Sequence, residues 1–207
     1  MLRGISKKTL KKFNVGLLKN GKVNFYNDNS DKIKEIFFNK KPENFYINKG
    51  IIFPIMDLTG NIISFNVRNL NFVKSKNIKY YLFPFEKSLY LPGLNKTWHN
   101  ILKKDSVYLF EGFFDFLSAY DNNINNSVFI CGKDLSKMQL ALILSFTKNI
   151  ILSLDSDEVG RKGMEKMYNF ILNNSGVRSR KVLLDNFEDP NDFFLKNGKE
   201  EFLKKVV

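Results

Sequence analysis

The sequence has very few of the residues that build metal ribbons and covalent cross-links. Its 207 residues include one cysteine, Cys131, and one histidine, His99. A zinc ribbon needs four such ligands and a disulfide needs two cysteines, so the chain by itself forms neither. Because Cys131 ends an apolar run, we expect it to be a small buried side chain rather than a reactive thiol.

Long apolar runs are also missing. No run of 18 or more apolar residues occurs, and the first residues lack the apolar stretch of a signal peptide. The hydrophobic fraction is nevertheless 43%, with 21 phenylalanines, which is ample for one large or two small folded domains. We therefore expect a soluble protein of the cytoplasm, that of a bacterium or, for a phage-encoded chain, that of its host.

Positive charge is concentrated in one half of the sequence. Residues 1–104 hold 20 Lys and Arg against 6 Asp and Glu, whereas residues 105–207 hold 13 against 15. Lysine-rich surfaces often serve only solubility. A basic half beside an acidic half is better explained by a polyanion that contacts both, and nucleic acid is the obvious candidate.

Two short apolar runs each end in acidic residues. Val107–Phe110 is followed by Glu111, and Ile150–Leu154 is followed by Asp155 and Asp157. Such runs are typical of buried parallel strands, and the ligands of open α/β sheets gather at the carboxyl ends of the strands. If the two strands are neighbours, three carboxylates converge, and a Mg²⁺ or Mn²⁺ ion would relieve their repulsion.

The Asp-x-Asp sequence has a second interpretation. It is common in turns and at helix N-termini, where a side chain accepts hydrogen bonds from backbone N–H groups. From the residues alone, both roles stay open for Asp155 and Asp157. An EF-hand loop is excluded, because Val159 and Lys166 stand where such a loop needs oxygen ligands.

Local signals predict most of the secondary structure. Ser6 as N-cap predicts a helix from Lys7 to about Phe13, and Asn20-Gly21 predicts a β-hairpin. Further helices are expected at residues 31–38, 113–120 and 160–173, and further strands around the turn at residues 57–60 and at residues 128–131 and 181–184.

Two more helix starts have clear caps. Ser136 and Gln139 have the spacing of a capping box, and Asp189 before Pro190 is typical of an N-cap followed by proline at the first helical position.

The acids and glycines of the second half stand in a fixed order: Glu111-Gly112-x-x-Asp115, then Gly132, then Asp155-x-Asp157-x-x-Gly160-Arg161. This order, across Val107–Lys196, resembles the Toprim domain that DnaG-type primases share with topoisomerases and some nucleases. The resemblance implies two divalent ions, Mg²⁺ or Mn²⁺, held by Glu111, Asp155 and Asp157.

Two further acids are weaker candidates as metal ligands under this resemblance. Asp115 would lie one turn into a helix, where it either orients a basic residue or a metal-bound water, or simply favours the helix dipole. Asp189 has the competing role of a helix cap. Bacterial primases tend to carry an acid at the position of Asn191, so a complete third carboxylate pair is not expected here.

The first half resembles the segment that precedes Toprim in DnaG-type primases. The resemblance rests on the opening Arg3-Gly4-Ile5-Ser6, on the two strands that lead to Arg68, and on Lys79-Tyr80. Arginine offers phosphate a planar fork and lysine a mobile point charge.

The resemblance implies nucleic-acid or nucleotide contacts for Arg3, Arg68, Lys79, Lys87, Lys133 and Arg161, and a catalytic role for Lys79 together with Glu111, Asp155 and Asp157. An ion pair with Glu158 or Glu165 would also explain Arg161.

The expected architecture is α/β: a basic mixed α/β subdomain at residues 1–104 that binds template, and a Toprim catalytic domain at residues 105–207. The latter would be a Rossmann-like, mostly parallel sheet flanked by helices. The resemblance implies a DNA primase core, of a phage or mobile-element type, that makes short RNA primers from NTPs by a two-metal mechanism. A Toprim nuclease and a non-catalytic DNA-binding fragment are the alternatives.

The expected partners follow from the same resemblance. They are a single-stranded DNA template and NTPs, together with a replicative helicase and a separate zinc-binding module; no membrane is expected.

Overall fold

The computed structural model describes residues 3–26, 30–74, 76–184 and 189–207. They form two compact units: Ser6–Phe85, and a second unit that joins Met1–Ile5 to Glu86–Val207. The units therefore divide after Phe85, earlier in the chain than the boundary expected between residues 104 and 105. The assignment of template binding to one domain and catalysis to the other stays a prediction. In the part of the chain described, no helix is long and apolar enough to span a bilayer.

The unit Ser6–Phe85 is built on an antiparallel sheet. Its elements are α1 (Lys7–Lys12), β1 (Gly16–Lys19), β2 (Lys22–Phe25), α2 (Ser30–Lys40), β3 (Lys49–Met56), β4 (Ile62–Asn69) and β5 (Tyr80–Leu82). The strand order is β2-β1-β3-β4-β5, and every neighbouring pair is antiparallel. The predicted cap and hairpin are confirmed: Ser6 accepts from the N–H of Thr9, and Asn20 and Gly21 both have positive φ, as a mirror-image two-residue turn requires.

Aromatic rings fill the core of this unit. Phe37 of α2 is fully buried, and its ring centroid lies 5.1 Å from that of Phe65, 5.2 Å from that of Phe83 and 6.1 Å from that of Phe45. Phe65 and Val67 reach this core because alternate residues of a strand face the same side of a sheet.

The second unit is built on a parallel sheet. After a 3₁₀ helix (Lys87–Leu89) it contains α3 (Leu94–Lys104), β6 (Val107–Phe110), α4 (Phe113–Asp121), β7 (Ser127–Phe129), α5 (Lys137–Leu144), β8 (Ile150–Ser153), α6 (Glu158–Ser175), β9 (Arg180–Lys181) and α7 (Pro190–Lys204). The order is β7-β6-β8-β9, all parallel. A helix makes each crossover, as parallel pairing requires, and the predicted α/β fold is confirmed.

Two predicted strands are shorter in the structure. The strand expected at residues 128–131 ends at Phe129, so Cys131 lies beyond it and is half-buried rather than a core residue. The strand expected at residues 181–184 is reduced to Arg180–Lys181, followed by a single bridge from Val182 to Val206. The capping box of Ser136 and Gln139 is confirmed.

Candidate functional site

Two neighbouring strands bring the first predicted acids to one edge of the parallel sheet. β6 and β8 pair with Phe110 opposite Ser153, so the two strands are neighbours, which is the condition that the sequence left open. Glu111 directly follows Phe110, and Asp155 comes two residues after Ser153. Because the carboxyl ends of parallel strands lie at the same edge, both acids leave the sheet there, and both are half-buried.

Asp157 is the N-cap of helix α6. Its Oδ1 accepts a 2.7 Å hydrogen bond from the backbone N–H of Gly160, and the residue is exposed. The capping role that the sequence left open is therefore present. A carboxylate that caps a helix keeps lone pairs for a second partner, so the cap is compatible with a metal-ligand role, which stays a prediction.

Gly160 explains the spacing of the motif. A Cβ built on Gly160 would lie 2.1 Å from the backbone oxygen of Asp155, so no side chain has room there. Glycine lets the first turn of α6 pack directly against the end of the strand that carries Asp155. Backbone packing thus requires the glycine of the Asp-x-Asp-x-x-Gly pattern.

Arg161, in the first turn of α6, stabilises the loop that carries Asp155 and Asp157. Its Nε donates a 2.9 Å hydrogen bond to the backbone carbonyl of Ser156, which lies between the two aspartates. Glu158 and Glu165, the acids named as alternative partners, each form an ion pair with a lysine, Glu158 within α6 and Glu165 with β9. A contact between Arg161 and a nucleotide phosphate stays a prediction.

A third carboxyl, that of Asp115, is buried in the first turn of α4. Its Oδ1 accepts a 3.2 Å hydrogen bond from the backbone N–H of Asn191. Burial raises the pKa of this carboxyl well above its usual value, and the nearby carboxylates of Asp189 and Asp155 raise it further. The hydrogen bond from Asn191 and the guanidinium of Arg3 lower the pKa by less. The two neighbouring carboxylates thus raise the pKa of Asp115 by more than Arg3 lowers it.

Arg3 lies against the acids at the start of α7. Its Nη2 is 3.8 Å from Oδ2 of Asp189 and 3.9 Å from Oδ1 of Asp192, and its guanidinium lies over the Phe114 ring, 5.1 Å from the centroid. Asp189 also caps α7 by accepting a 2.7 Å hydrogen bond from the N–H of Asp192, as predicted. The template contact expected of Arg3 stays a prediction.

The donor chemistry of this edge suits a divalent cation. The candidate ligands Glu111, Asp155 and Asp157 are carboxylates, the oxygen donors that Mg²⁺ and Mn²⁺ prefer. Ser153 Oγ, at the end of β8, and Asn191 Oδ1 are buried and have no hydrogen-bond partner in the described part of the chain. Both observations agree with an edge that is completed by a bound group.

The arrangement is not a finished metal site. Within residues 3–26, 30–74, 76–184 and 189–207, no three His, Cys, Asp or Glu side chains are already grouped as metal ligands. The ligand set, including the weaker candidates Asp115 and Asp189, therefore stays a prediction.

A small basic pocket lies beside the turn that follows β7. Its volume is about 160 Å³, and Lys87, Cys131, Gly132 and Lys133 line part of it. A Cβ on Gly132 would lie 3.4 Å from Nζ of Lys87, so the lysine approaches the glycine turn closely. The structure thus brings together two lysines that were predicted to bind nucleotide. Burial raises the pKa of the Cys131 thiol to about 12, so this thiol is a poor nucleophile.

Two residues hold this pocket together, a role that the sequence analysis missed. Ser136 Oγ donates to the backbone carbonyl of Ser88 at 2.5 Å. Gln139 Nε2 donates to the carbonyls of Lys87 at 3.0 Å and Tyr90 at 2.8 Å. The capping box was visible as a local pattern, but no signal in the sequence shows that its side chains also bind backbone 48 to 52 residues earlier.

Arg68 and Lys79 lie in the other unit and share one tyrosine. Arg68 of β4 pairs with Tyr80 of β5, and its guanidinium carbon is 4.7 Å from the centroid of the Tyr80 ring and 5.8 Å from that of Phe72. Nζ of Lys79 is 5.7 Å from the Tyr80 centroid, and Lys79 is exposed. Nη1 of Arg68 is buried and has no hydrogen-bond partner among the described residues. Their phosphate contacts and the catalytic role of Lys79 stay predictions.

Comparison with known sequences supports the same family. The model of the Toprim-like family matches residues 108–194. The DNA primase of Clostridium acetobutylicum is 29% identical over 99% of this chain and 36% of its own length. The DNA primase of Aquifex aeolicus is 32% identical over 77% of this chain and 32% of its own length. The chain thus spans about a third of the length of the curated relatives it matches.

Solved structures agree with this relationship. The crystal structure of the zinc-binding and RNA polymerase domains of the Aquifex aeolicus primase matches with a TM-score of 0.79 and 26% identity, over 100% of this chain and 54% of that one. A DnaG primase catalytic domain bound to single-stranded DNA shares the fold, with a TM-score of 0.78 and 23% identity over 100% of this chain and 69% of that one. Residues 108–194 are thus Toprim-like, and the chain as a whole is similar to bacterial DNA primases and has the fold of their RNA polymerase core.

Proposed function

We propose that this chain is a primase catalytic core that joins ribonucleotides into short RNA primers on a single-stranded DNA template. The observation that carries the proposal is the exit of Glu111 and Asp155 from neighbouring parallel strands at one edge of the sheet. It is supported by a fold that resembles primase RNA polymerase domains over the whole chain. The relatives that are 29% and 32% identical to this chain are DNA primases.

Glu111, Asp155 and Asp157 would hold two divalent ions, Mg²⁺ or Mn²⁺. Bound there, the ions would neutralise charge on the NTP triphosphate and favour attack by the primer 3′-hydroxyl. The protein itself supplies placement: Gly160 lets α6 pack on the strand end, and Arg161 fixes the loop through the Ser156 carbonyl. No side-chain nucleophile is required.

Two groups of basic residues would bind different phosphates, those of the incoming NTP and those of the template. Lys87 and Lys133 line one pocket of the unit that carries the acids, and we assign them to the triphosphate. Arg68 and Lys79 flank an exposed tyrosine of the unit Ser6–Phe85, and we assign them to the template, with Lys79 also assisting catalysis. Because these contacts are made to phosphates, we expect the affinity for DNA to fall steeply as the salt concentration rises.

Two further partners complete the proposal. A zinc-binding domain accompanies the RNA polymerase domain in the Aquifex aeolicus structure. The present 207 residues hold too few Cys and His for such a site. We therefore propose that a separate zinc-binding module and a replicative helicase act with this core.

The test is a primer-synthesis assay with single-stranded DNA, labelled NTPs and Mg²⁺ or Mn²⁺. It compares wild type with Asp157→Asn, and with Glu158→Gln as the matched control. Glu158 is the next residue and an exposed acid whose partner is Lys162 on the same helix. We expect short labelled RNA that requires template, is made by wild type and the control, and is absent with Asp157→Asn.

Other outcomes would contradict the proposal. Degradation of the template would assign the chain to metal-dependent nucleases. DNA binding without either reaction, even with a zinc-binding module and helicase added, would indicate a non-catalytic DNA-binding fragment.

A further inference from the structure

Helix α3 has an outer face that the proposed active site does not use. Three stripes at helical spacing run along it: Leu94, Thr97 and Ile101; Asn95, Trp98 and Leu102; and Lys96, His99 and Lys103. The first stripe is buried and fixes the helix on the unit. The other two form the outer face, which carries the apolar side chains of Trp98 and Leu102 on one stripe and the cations Lys96 and Lys103 on the other.

Trp98 is the dominant group of the apolar stripe. It is the single tryptophan of the chain, and 41% of its surface is exposed, as is 49% of Leu102 one turn later. Its ring meets that of His99 at 84°, with the centroids 5.8 Å apart. Trp98 and Leu102 are neighbours on this face, so they form one exposed apolar patch rather than scattered single residues.

The charge of this face has one sign only. α3 contains no Asp or Glu. In the part of the chain that the structure describes, no carboxylate pairs with Lys96 or Lys103. Asp105, the next acid along the chain, instead accepts hydrogen bonds from Thr147 and Asn149. A phosphate backbone is complementary to a row of cations that no described carboxylate neutralises.

We infer that the outer face of α3 is a second contact for single-stranded DNA, in which a base stacks on Trp98 while Lys96 and Lys103 bind the adjoining phosphates. An aromatic platform beside a cationic track is the combination that proteins use to hold single strands without reading sequence. This inference rests on the proposed function, because it gives the same template a further attachment on the unit that carries the acids. An amphipathic helix of a partner protein is the competing occupant, and the absence of acidic groups on α3 favours nucleic acid.

The single tryptophan makes the inference directly measurable. The whole chain is titrated with a fluorescein-labelled oligo-dT strand at low salt, and two signals are followed: the anisotropy of the label and the emission of Trp98. We expect Trp98 emission to be quenched in step with the rise in anisotropy, because a stacked base quenches the indole.

Variants separate stacking from charge and from folding. Trp98→Leu keeps an apolar side chain but no ring, and we expect it to weaken DNA affinity about tenfold, with much of the loss restored in Trp98→Phe. Lys103→Gln should reduce the slope of log affinity against log salt concentration by about one, which corresponds to one phosphate contact. Leu102→Ala is the control from the same stripe, and we expect it to bind DNA like wild type. Equal melting temperatures would show that all four variants are folded.

The contradicting results are distinct. Saturated anisotropy with unchanged Trp98 emission, or equal affinities for wild type and Trp98→Leu, would overturn the α3 contact and leave template binding by the core in place. Equal weakening by Leu102→Ala and Trp98→Leu would indicate an apolar protein-docking face and would also overturn it. No rise in anisotropy at low salt would overturn both the contact and the proposed template binding.

Discussion

The two sheets of this protein are built by opposite rules. In the unit Ser6–Phe85, β1 pairs with β2, β3 with β4 and β4 with β5, so most strands pair with a neighbour in the chain. In the other unit every neighbouring pair of strands is parallel and a helix lies between consecutive strands. Antiparallel strands are joined by short turns, whereas parallel strands need a long crossover.

The difference determines where polar chemistry collects. A parallel sheet directs the carboxyl ends of all its strands to one edge, so acids that are distant in sequence leave the sheet on the same side. The carboxylates of Asp155 and Asp189 both raise the pKa of Asp115 there. The antiparallel sheet has no such common edge. Residues 6–85 hold 15 Lys and Arg against 5 Asp and Glu, while the rest of the chain holds 18 against 16. One unit therefore offers a basic surface, and the other offers an acidic site.

The largest effect on the antiparallel unit should come from its aromatic core. We expect Phe37→Ala to lower the free energy of unfolding by about 3–5 kcal/mol, because a fully buried ring that packs against four other rings, including that of the exposed Phe38, is replaced by a cavity. Urea denaturation measures this loss. Phe38→Ala is the matched control, since Phe38 is 47% exposed, and should cost far less. Equal losses for the two variants would mean that the core is not where the structure places it.

In the parallel unit, the close approach of α6 to Asp155 should be the most sensitive point outside the core. We expect Gly160→Ala to destabilise the protein by about 2 kcal/mol and to abolish primer synthesis, because its methyl group has no room beside the Asp155 carbonyl. Gly163→Ala lies in the same helix, and its Cβ would meet Leu154 at 3.9 Å, an ordinary contact. It should leave activity intact and stability equal or higher. An active Gly160→Ala would refute this packing argument.

The basic unit should act through binding rather than stability. We expect Lys79→Ala to weaken single-stranded DNA binding several-fold and to reduce the salt dependence of affinity by about one ion, with an unchanged melting temperature. Lys76→Ala, also exposed and three residues earlier, is the matched control and should weaken binding less. Fluorescence anisotropy across a salt series measures both quantities. Identical slopes for wild type and Lys79→Ala would remove Lys79 from the phosphate contacts.

The smallest expected effect concerns the thiol beside the basic pocket. Although the Cys131 residue as a whole is half-buried, desolvation of its thiol raises the pKa of that group to about 12 from a usual value near 9. Very little thiolate therefore exists in the folded protein at pH 8. Alkylation by iodoacetamide should therefore be slow, and its rate should keep rising with pH beyond 9. The same chain unfolded in urea should react faster, and its rate should be half-maximal near pH 9. Equal rates for folded and unfolded protein would contradict the burial of this group.

Much of the fold could be predicted because its signals are local. The Asn20-Gly21 turn, the Ser6 cap and the Asp189-Pro190 helix start each depend on a few adjacent residues. The strands β6 and β8 were recognisable because each is a short apolar run, as buried parallel strands are. That they are neighbours could not be read from the runs themselves and is seen only in the structure.

What could not be predicted depends on contacts between distant residues. The capping box at Ser136 and Gln139 was visible, but its bonds to the backbone of Ser88 and Tyr90 were not. Cys131 was expected in the core because its neighbours are apolar, yet β7 ends two residues earlier and leaves it half-buried. The proximity of Arg3 to Asp189 joins residues at opposite ends of the chain, and no sequence pattern records it.

The central claim is that acids from neighbouring parallel strands bind the divalent ions of nucleotidyl transfer. Its most direct test is Mn²⁺ binding, followed by electron paramagnetic resonance, in wild type, Asp155→Asn and Glu158→Gln. We predict that Asp155→Asn weakens Mn²⁺ binding at least tenfold and abolishes primer synthesis while single-stranded DNA still binds, and that Glu158→Gln behaves like wild type. Equal Mn²⁺ affinity and equal synthesis in wild type and Asp155→Asn would contradict the claim.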